Sequence, residues 1–462
     1  MLSLAAACVA FGAISLALPE FITFVERDLA ADYTVFTIPT VLFVTAIVIG
    51  VVGGLYPALY LATREAVQTL KGPLRGSRKS NVRYGLVLAQ FGATAILLAG
   101  TLTVYDQLTF LRNKNLGFNT SQMMFIGLFG ANRRLNESYN EIKDAFLQHP
   151  NIISASAAHL IPGFRRETQS IRAEGHGDHQ FNMRILAVDE DFIDTYELEL
   201  IAGRGLSPGT DRNGVEIILN ETAAKQLGWD PTELSGPDSP LGKGFGWGER
   251  YQNGEVVGLV KDFHIASLKE PIEPVFICKW WDKFNVLNMR IKPENIEATE
   301  AFCEELWKRY IPDIPFFGIR FLDDILARQY RDEQRLGVMG LVFSGIAISV
   351  ACLGLLGLAA YTAEQATKEI GVRRTLGASV GSVFTLLSRE FVGVVLIGNL
   401  VTWPISYYLV DGWLESFEYR VAIGVSPFVL SFLASFLLTL ATVSYQVMRA
   451  AARDPVDALR HE

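Results

Sequence analysis

Six stretches of about twenty residues are nearly free of charge, and no other feature of this 462-residue chain narrows its possible folds so far. They run over 1–19, 37–61, 84–105, 336–360, 384–409 and 425–447. About 20 apolar residues in a helix cover the roughly 30 Å hydrocarbon core of a bilayer, so each stretch predicts a membrane span. The fifth carries Arg389 and Glu390 near its start. That places them at the interface, where long side chains reach back to water. The first has no basic leader, and its LALPEF end lacks the small residues of a cleavage site, so it reads as a transmembrane helix rather than a signal peptide.

Composition agrees. Half the residues are hydrophobic and 19% are charged, below the roughly 25% usual in soluble domains. The formal charge of -8 and the absence of interleaved basic and aromatic residues argue against nucleic-acid binding. Cys8, Cys278, Cys303 and Cys352 are scattered without metal-ligand spacing; Cys278 and Cys303 could pair if their segment faces an oxidising compartment.

Basic residues in short loops set orientation. Arg64, Lys71, Arg75, Arg78, Lys79 and Arg83 follow the second run, Lys368, Arg373 and Arg374 follow the fourth, and Arg449, Arg453 and Arg460 lie in the tail. These segments are expected in the cytoplasm. The loops at 20–36 and 410–424 each hold one arginine among several acids, which suits the opposite side. Alternate crossings then put the long segment from about 110 to 335 outside the cytoplasm.

Two exit segments repeat. YPALYLATREAVQTLKG from Tyr56 aligns without a gap on YQVMRAAARDPVDALRH from Tyr445, matching Arg64 with Arg453, Val67 with Val456 and Leu70 with Leu459. The repeat leads to the expectation that the chain is the rear portion of a longer duplicated protein.

The long segment reads as mixed α and β. VEIILNETAAKQLGW is a strand, a cap at Asn220 or Thr222, and a helix, and NVLNMRIKPENIEATEAFCEELWKRY repeats that order. GEVVGLVKDFHIASL and FFGIRFL add β-like runs. VYDQLTFLRNKNLGFN and LDDILARQYRDEQRLG look helical and join spans without a proline break, as stalks would.

Chemistry-bearing motifs are weak. In GPDSPLGKGF the glycines are one residue too far apart for a phosphate loop, and Lys243 precedes glycine where Ser or Thr is needed, so a surface turn is expected. His176 and His179 of HGDH have no third metal ligand at a sensible spacing. Asp262 and His264 of VKDFHIASL would share a face if the run is a strand, but no serine or cysteine elbow accompanies them, so they read as a structural pair. No cofactor or metal site and no enzymatic activity is expected.

TAEQATKEIGVRRTLGAS, residues 362–379, is a charged island between spans. From Ala363 to Thr375 it predicts a helix with Glu364–Lys368 and Glu369–Arg373 as acid-first (i, i+4) pairs, Gly377 as a stop and Ser379 as the next cap. A helix this short is marginal alone, so the bilayer surface or a docked protein is expected to hold it.

RQYRDEQRLG, TAEQATKEIGVRRTLGAS and AARDPVDALRHE, in that order around three spans, resemble the C-terminal module of the MacB/FtsX-like permeases of ABC transporters. VVGLVKDFHIASLKEPIEP resembles their extracytoplasmic core domain. The resemblance implies a multi-span α-helical membrane protein with a mixed α/β extracytoplasmic domain inserted between spans. It divides the chain into two spans of a preceding module at 1–61, a basic cytoplasmic linker at 62–83 and a span with its stalk at 84–109. The core domain follows at 110–322, then a stalk and span at 323–360, a coupling helix at 361–382, two FtsX-like spans at 383–447 and a cytoplasmic tail at 448–462. Family members of the tandem type have eight spans against the six found here.

In that family the island is the coupling helix that rests on a separate cytoplasmic ABC ATPase subunit. By motif match, Glu369, Gly371, Arg373, Arg374, Gly377 and Ala378 are the contact candidates. The resemblance implies a permease of the inner membrane that links ATP hydrolysis to movement of the core domain, extruding peptides, drugs or lipidated molecules. The alternative is a signalling scaffold that activates an extracytoplasmic partner such as a cell-wall hydrolase. Further partners it allows are the lipid bilayer, a second permease module and an extracytoplasmic adaptor.

Overall fold

The computed structural model describes residues 1–25, 37–62, 81–128, 132–162, 167–209, 215–233, 235–248, 251–280, 283–365, 376 and 379–451. Most of the basic linker, most of the island and most of the tail fall outside them, and with these all six contact candidates, Glu369, Gly371, Arg373, Arg374, Gly377 and Ala378.

The chain opens with helices α1 (Leu2–Val25), α2 (Ile38–Ala62) and α3 (Asn81–Asn113). An inserted domain follows: β1 (Met123–Gly127), α4 (Asn132–Leu147), β2 (Ile152–Ala158), β3 (Thr168–Ala173), β4 (Phe181–Ala187), α5 (Phe192–Tyr196), β5 (Leu200–Gly203), β6 (Val215–Asn220), α6 (Glu221–Gln226), β7 (Gly244–Trp247), β8 (Tyr251–Val260), β9 (Val275–Cys278), β10 (Val286–Ile291), α7 (Ile296–Tyr310) and β11 (Arg320–Phe321). Then come α8 (Leu322–Gln329), α9 (Arg331–Gln365), α10 (Val380–Leu414) and α11 (Ser426–Ala451). All six apolar stretches are helical, and six helices among the described residues are long and apolar enough to cross a membrane. The protein is a multi-span helical chain with an inserted α/β domain. By internal contacts it divides into a unit of residues 1–101, 335–406 and 425–462 and a unit of 102–334 and 407–424.

In the first unit α1 packs on α2, and Gly50 comes so close to Ser3 that a Cβ there would lie 2.7 Å from the Ser3 hydroxyl. Phe91 of α3, Leu355 of α9, Phe391 and Val395 of α10 and Val443 of α11 form one buried cluster. Lipid tails are as apolar as leucine, so helices in a bilayer associate by close packing across small residues. Gly354 meets the Gln90 amide and Gly92 meets Thr402 in this way; an added Cβ would sit 2.5 and 2.7 Å from them. The opposite surfaces stay apolar and exposed, as at Val52, Leu341 and Leu400. Ser379 caps α10 as its sequence predicts, its Oγ accepting the Ser382 N–H at 3.3 Å.

The second unit contains two sheets. β11, β1, β10 and β2 form an antiparallel sheet in that order. The other runs β5-β8-β6-β9-β4-β3-β7, and β7 also pairs with β8, so the strands from β8 to β7 close on themselves. Among the described residues of this sheet, closure leaves β5, which lies against β8, as the terminal strand. Alternation does the rest, because successive side chains on a strand point to opposite faces. Ile217 and Leu219 of β6, Phe276 and Cys278 of β9, and Met183 and Ile185 of β4 enter one core with Trp247. Their neighbours Ile218, Ile277 and Leu186 enter a second core, shared with Met123 and Phe125 of β1. Met124 and Ile126 face the other way, into a third core with Phe146 of α4 and Trp307 of α7.

The β6–α6 and β10–α7 pairs form where their sequences predict them, and Asn220 is the cap of α6, its Oδ1 accepting the Ala223 N–H at 3.0 Å. Cys278 and Cys303 are free thiols buried in separate cores, and burial pushes the Cys303 thiol up to about 12. The second stalk differs from its expected continuity. It breaks at Tyr330, where φ is -109° and ψ 14°, between α8 and α9.

Candidate functional site

Within the second unit, four segments distant in sequence converge: the end of α3, the loop 261–270 after β8, the α8–α9 junction and the hairpin 415–424 between α10 and α11. Leu108, Leu111, Leu268, Tyr330 and Phe417 form their common apolar core. We call this meeting point the collar.

Gln107 carries the first connection. Its side chain is fully buried; Nε2 donates to the Tyr419 carbonyl at 2.8 Å and Oε1 accepts the Val421 N–H at 2.8 Å. One amide thus satisfies both a donor and an acceptor of the hairpin backbone, groups whose burial unpaired would be unfavourable. Lys114 lies 4.3 Å from the Tyr419 ring centroid, a cation–π distance.

The loop after β8 makes the second connection. Gly117, with φ +87°, lies where a Cβ would be 2.7 Å from the Asp262 carbonyl oxygen, so only glycine lets α3's end approach that loop. The His264 N–H donates to the Leu116 carbonyl at 2.8 Å, and its ring stands edge-on to Tyr419 with centroids 4.9 Å apart. Burial first, and Lys114 second, hold the His264 pKa below its ordinary value against the pull of Asp262. The Leu268 N–H donates to the Tyr330 hydroxyl at 3.0 Å, and Lys269 forms an ion pair with the buried Glu333 in the first turn of α9. The hairpin closes the ring through the Glu418 N–H on the Lys269 carbonyl at 3.3 Å.

Of the residues singled out in the sequence, Asp262 and His264 separate. The strand ends at Val260, so they do not share a strand face. The Asp262 carboxylate instead accepts from the Thr222 N–H and hydroxyl, each at 2.8 Å, holding the start of α6, while His264 joins the collar. The His176 Nε2–H donates to the Leu227 carbonyl at 2.9 Å, and with His179 the ring flanks Phe181 edge-on. No group of three metal-ligating side chains occurs among the described residues. Lys243 lies in a turn, 3.4 Å from Glu174. Sequence reasoning missed Gln107, Tyr330 and Tyr419 as a unit. A glutamine just past an apolar run was the one available signal, since polar side chains at span ends need partners.

Residues 341–455, which cover most of α9 and all of α10 and α11, match the model of the FtsX-like permease C-terminal family. The ABC transporter permease YknZ of Bacillus subtilis is 22% identical over 312 residues, 64% of this chain and 74% of YknZ. The chain is similar to ABC-transporter permeases of the FtsX/MacB type. The macrolide export ATP-binding/permease protein MacB of Aggregatibacter actinomycetemcomitans is 23% identical over 330 residues, 67% of this chain and 47% of MacB. The chain spans less than half the length of the export ATP-binding/permease relatives it matches. Among solved structures, the periplasmic region of MacB from Actinobacillus actinomycetemcomitans aligns with 47% of this chain and 96% of its own, at 17% identity and a TM-score of 0.32.

Proposed function

We propose that the permease works with a separate cytoplasmic ABC ATPase and converts its closure on ATP into movement of the inserted domain on the far side of the inner membrane. Peptides, drugs or lipidated molecules are the cargo of this reading. The observation that carries it is the collar: α3 runs unbroken from Asn81 to Asn113, and its last turns are hydrogen-bonded through Gln107 to the hairpin between the last two spans and packed through Leu108 and Leu111 on Leu268 of the loop after β8. A displacement of α3 therefore reaches the inserted domain through packed and hydrogen-bonded groups rather than through a slack linker.

The ATPase is taken to dock on the island, with Glu369, Gly371, Arg373, Arg374, Gly377 and Ala378 as contacts. Charges at the end of a helix contribute about 0.3 to 1 kcal/mol to its own stability, whereas truncating a buried charged contact in an interface costs about 2 to 5 kcal/mol. The test is Arg373→Glu combined with Arg374→Glu. The variant is expected to insert normally and to lose both co-purification with the ATPase and stimulation of ATP hydrolysis. Normal association of an inserted double variant would overturn the reading.

A further inference from the structure

A cavity of ≈ 410 Å³ opens in the second unit beside the collar. Its wall has two chemical halves. Leu111, Leu116, Phe118, Leu326 and Tyr330 supply an apolar side, while Arg112, Lys114 and His264 supply nitrogen donors.

The His264 side chain is 6% exposed, lines this cavity, and has no hydrogen-bond partner for either ring nitrogen among the described residues. Its ring nitrogens are open to the cavity wall and so are available to an occupant. Arg112 and Lys114 likewise meet no carboxylate among the described residues, and Lys114 rests on the faces of Phe110 and Tyr419. Asp323 is the single acid on the wall among the described residues, and it sits in the first turn of α8, where the helix dipole favours its charge. Lys114 and His264 also line a neighbouring cavity, whose wall carries three acids, Glu197, Glu199 and Asp262.

Position narrows the occupant further. Arg112 stands in the last turn of the apolar helix Tyr84–Asn113, and Tyr330 immediately precedes the apolar helix that starts at Arg331. Arg112 lies about 10 Å of helix past the apolar run 84–105, a distance its long side chain can span back towards the lipid headgroups. We infer that this cavity binds an anionic amphiphile, its phosphate-type head held by Arg112, Lys114 and His264 and its apolar part lying on Leu116, Phe118 and Leu326. Two sources share this chemistry: a bilayer phospholipid and a soluble amphiphilic phosphate. The inference is independent of the ATPase, since its test reads binding alone.

Native mass spectrometry of the whole 462-residue chain in detergent measures it, with phosphatidylglycerol titrated against phosphatidylcholine. One phosphatidylglycerol is expected to be retained in preference to phosphatidylcholine. Arg112→Glu, at an exposed position, is expected to weaken that retention about tenfold, the effect of losing one charged hydrogen bond. Arg112→Lys is expected to keep most of it. His264→Phe preserves a ring against Tyr419 but removes the donor, and is also expected to weaken retention. Equal retention of the two lipids, or unchanged retention in both Arg112→Glu and His264→Phe, would overturn the proposal. Displacement by monomeric dihexanoyl-phosphatidylglycerol would support the site and extend it to soluble amphiphiles, whereas its failure to displace would support a bilayer lipid. Displacement by inorganic phosphate alone would overturn the role given to the apolar wall.

Discussion

The hydroxyl of Tyr330 accepts the backbone N–H of Leu268 at 3.0 Å, and it does so at the residue where the stalk breaks between α8 and α9. The ring belongs to the collar core, so the break is anchored rather than loose. Tyr330→Phe keeps the ring and strands a buried N–H, an effect of about 1 to 3 kcal/mol. The Leu268 amide is expected to exchange roughly ten- to a hundredfold faster in hydrogen-exchange measurements, with little change at β6 or β9. Unchanged exchange at Leu268 would mean that packing alone holds the junction.

Gln107 presents a stricter case, since it serves two backbone groups at once. Gln107→Leu matches its volume and abandons both, whereas Gln107→Glu keeps the acceptor for Val421 but buries a carboxylate against the Tyr419 carbonyl. A loss of about 2 to 4 kcal/mol is expected for leucine, and at least as much for glutamate. Limited proteolysis between Glu415 and Gly424 would read them, with both variants cut faster than wild type. Equal resistance of all three would remove the amide from the collar.

The spans were legible because a bilayer demands some twenty apolar residues in a row and nothing else in the chain imitates that. The β6–α6 pair was legible for a local reason: alternation over VEIILN runs into a capping asparagine. What could not be read is non-local. Gln107 bonds a residue 312 positions away, and the closure of β7 on β8 depends on a ladder that no single strand encodes. The run through Lys261 was read as strand because VVGLV is apolar and β-branched, yet Asp262 is drawn off the ladder to hold Thr222. The six coupling candidates fall outside the described residues, so they rest on motif likeness alone.

Lys143 and Asp189 illustrate a buried charge that tolerates only paired change. Asp189 is fully buried and accepts from Ser156 at 2.6 Å, from Tyr139 and from Lys143 at 3.1 Å, while Lys143 also pairs with Asp191. Burial opposes the ammonium, but Asp189 and Asp191 outweigh it and hold the Lys143 pKa above its ordinary value. Removing one partner of such a pair destabilises by about 3 to 5 kcal/mol because the other charge stays behind. Lys143→Met is expected to lower the midpoint of thermal unfolding of the inserted domain, and adding Asp189→Asn is expected to recover part of it. A strictly additive double variant would show that the two residues are not coupled.

His159 gives the inserted domain a pH dependence whose sign follows from its tautomer. Its side chain is 3% exposed, Nδ1 accepts the Ala187 N–H at 3.0 Å, and Nε2 lies 3.6 Å from Glu167. An acceptor Nδ1 requires the neutral ring, with its hydrogen on Nε2. Burial is the main cause that pulls the pKa from 6.5 to about 4, and Glu167 opposes it. The unfolded chain therefore takes up this proton at a higher pH than the folded one. The stabilisation is fully present above pH 6.5 and is lost as pH falls from 6.5 towards 4, by up to about 3 kcal/mol. Thermal unfolding of the protein in detergent, followed by circular dichroism between pH 7.5 and 5, is expected to show the midpoint falling with pH. His159→Gln supplies an amide oxygen for the Ala187 N–H without titrating, and is expected to flatten the fall between pH 6.5 and 5. An identical slope in that variant would assign the dependence to other groups.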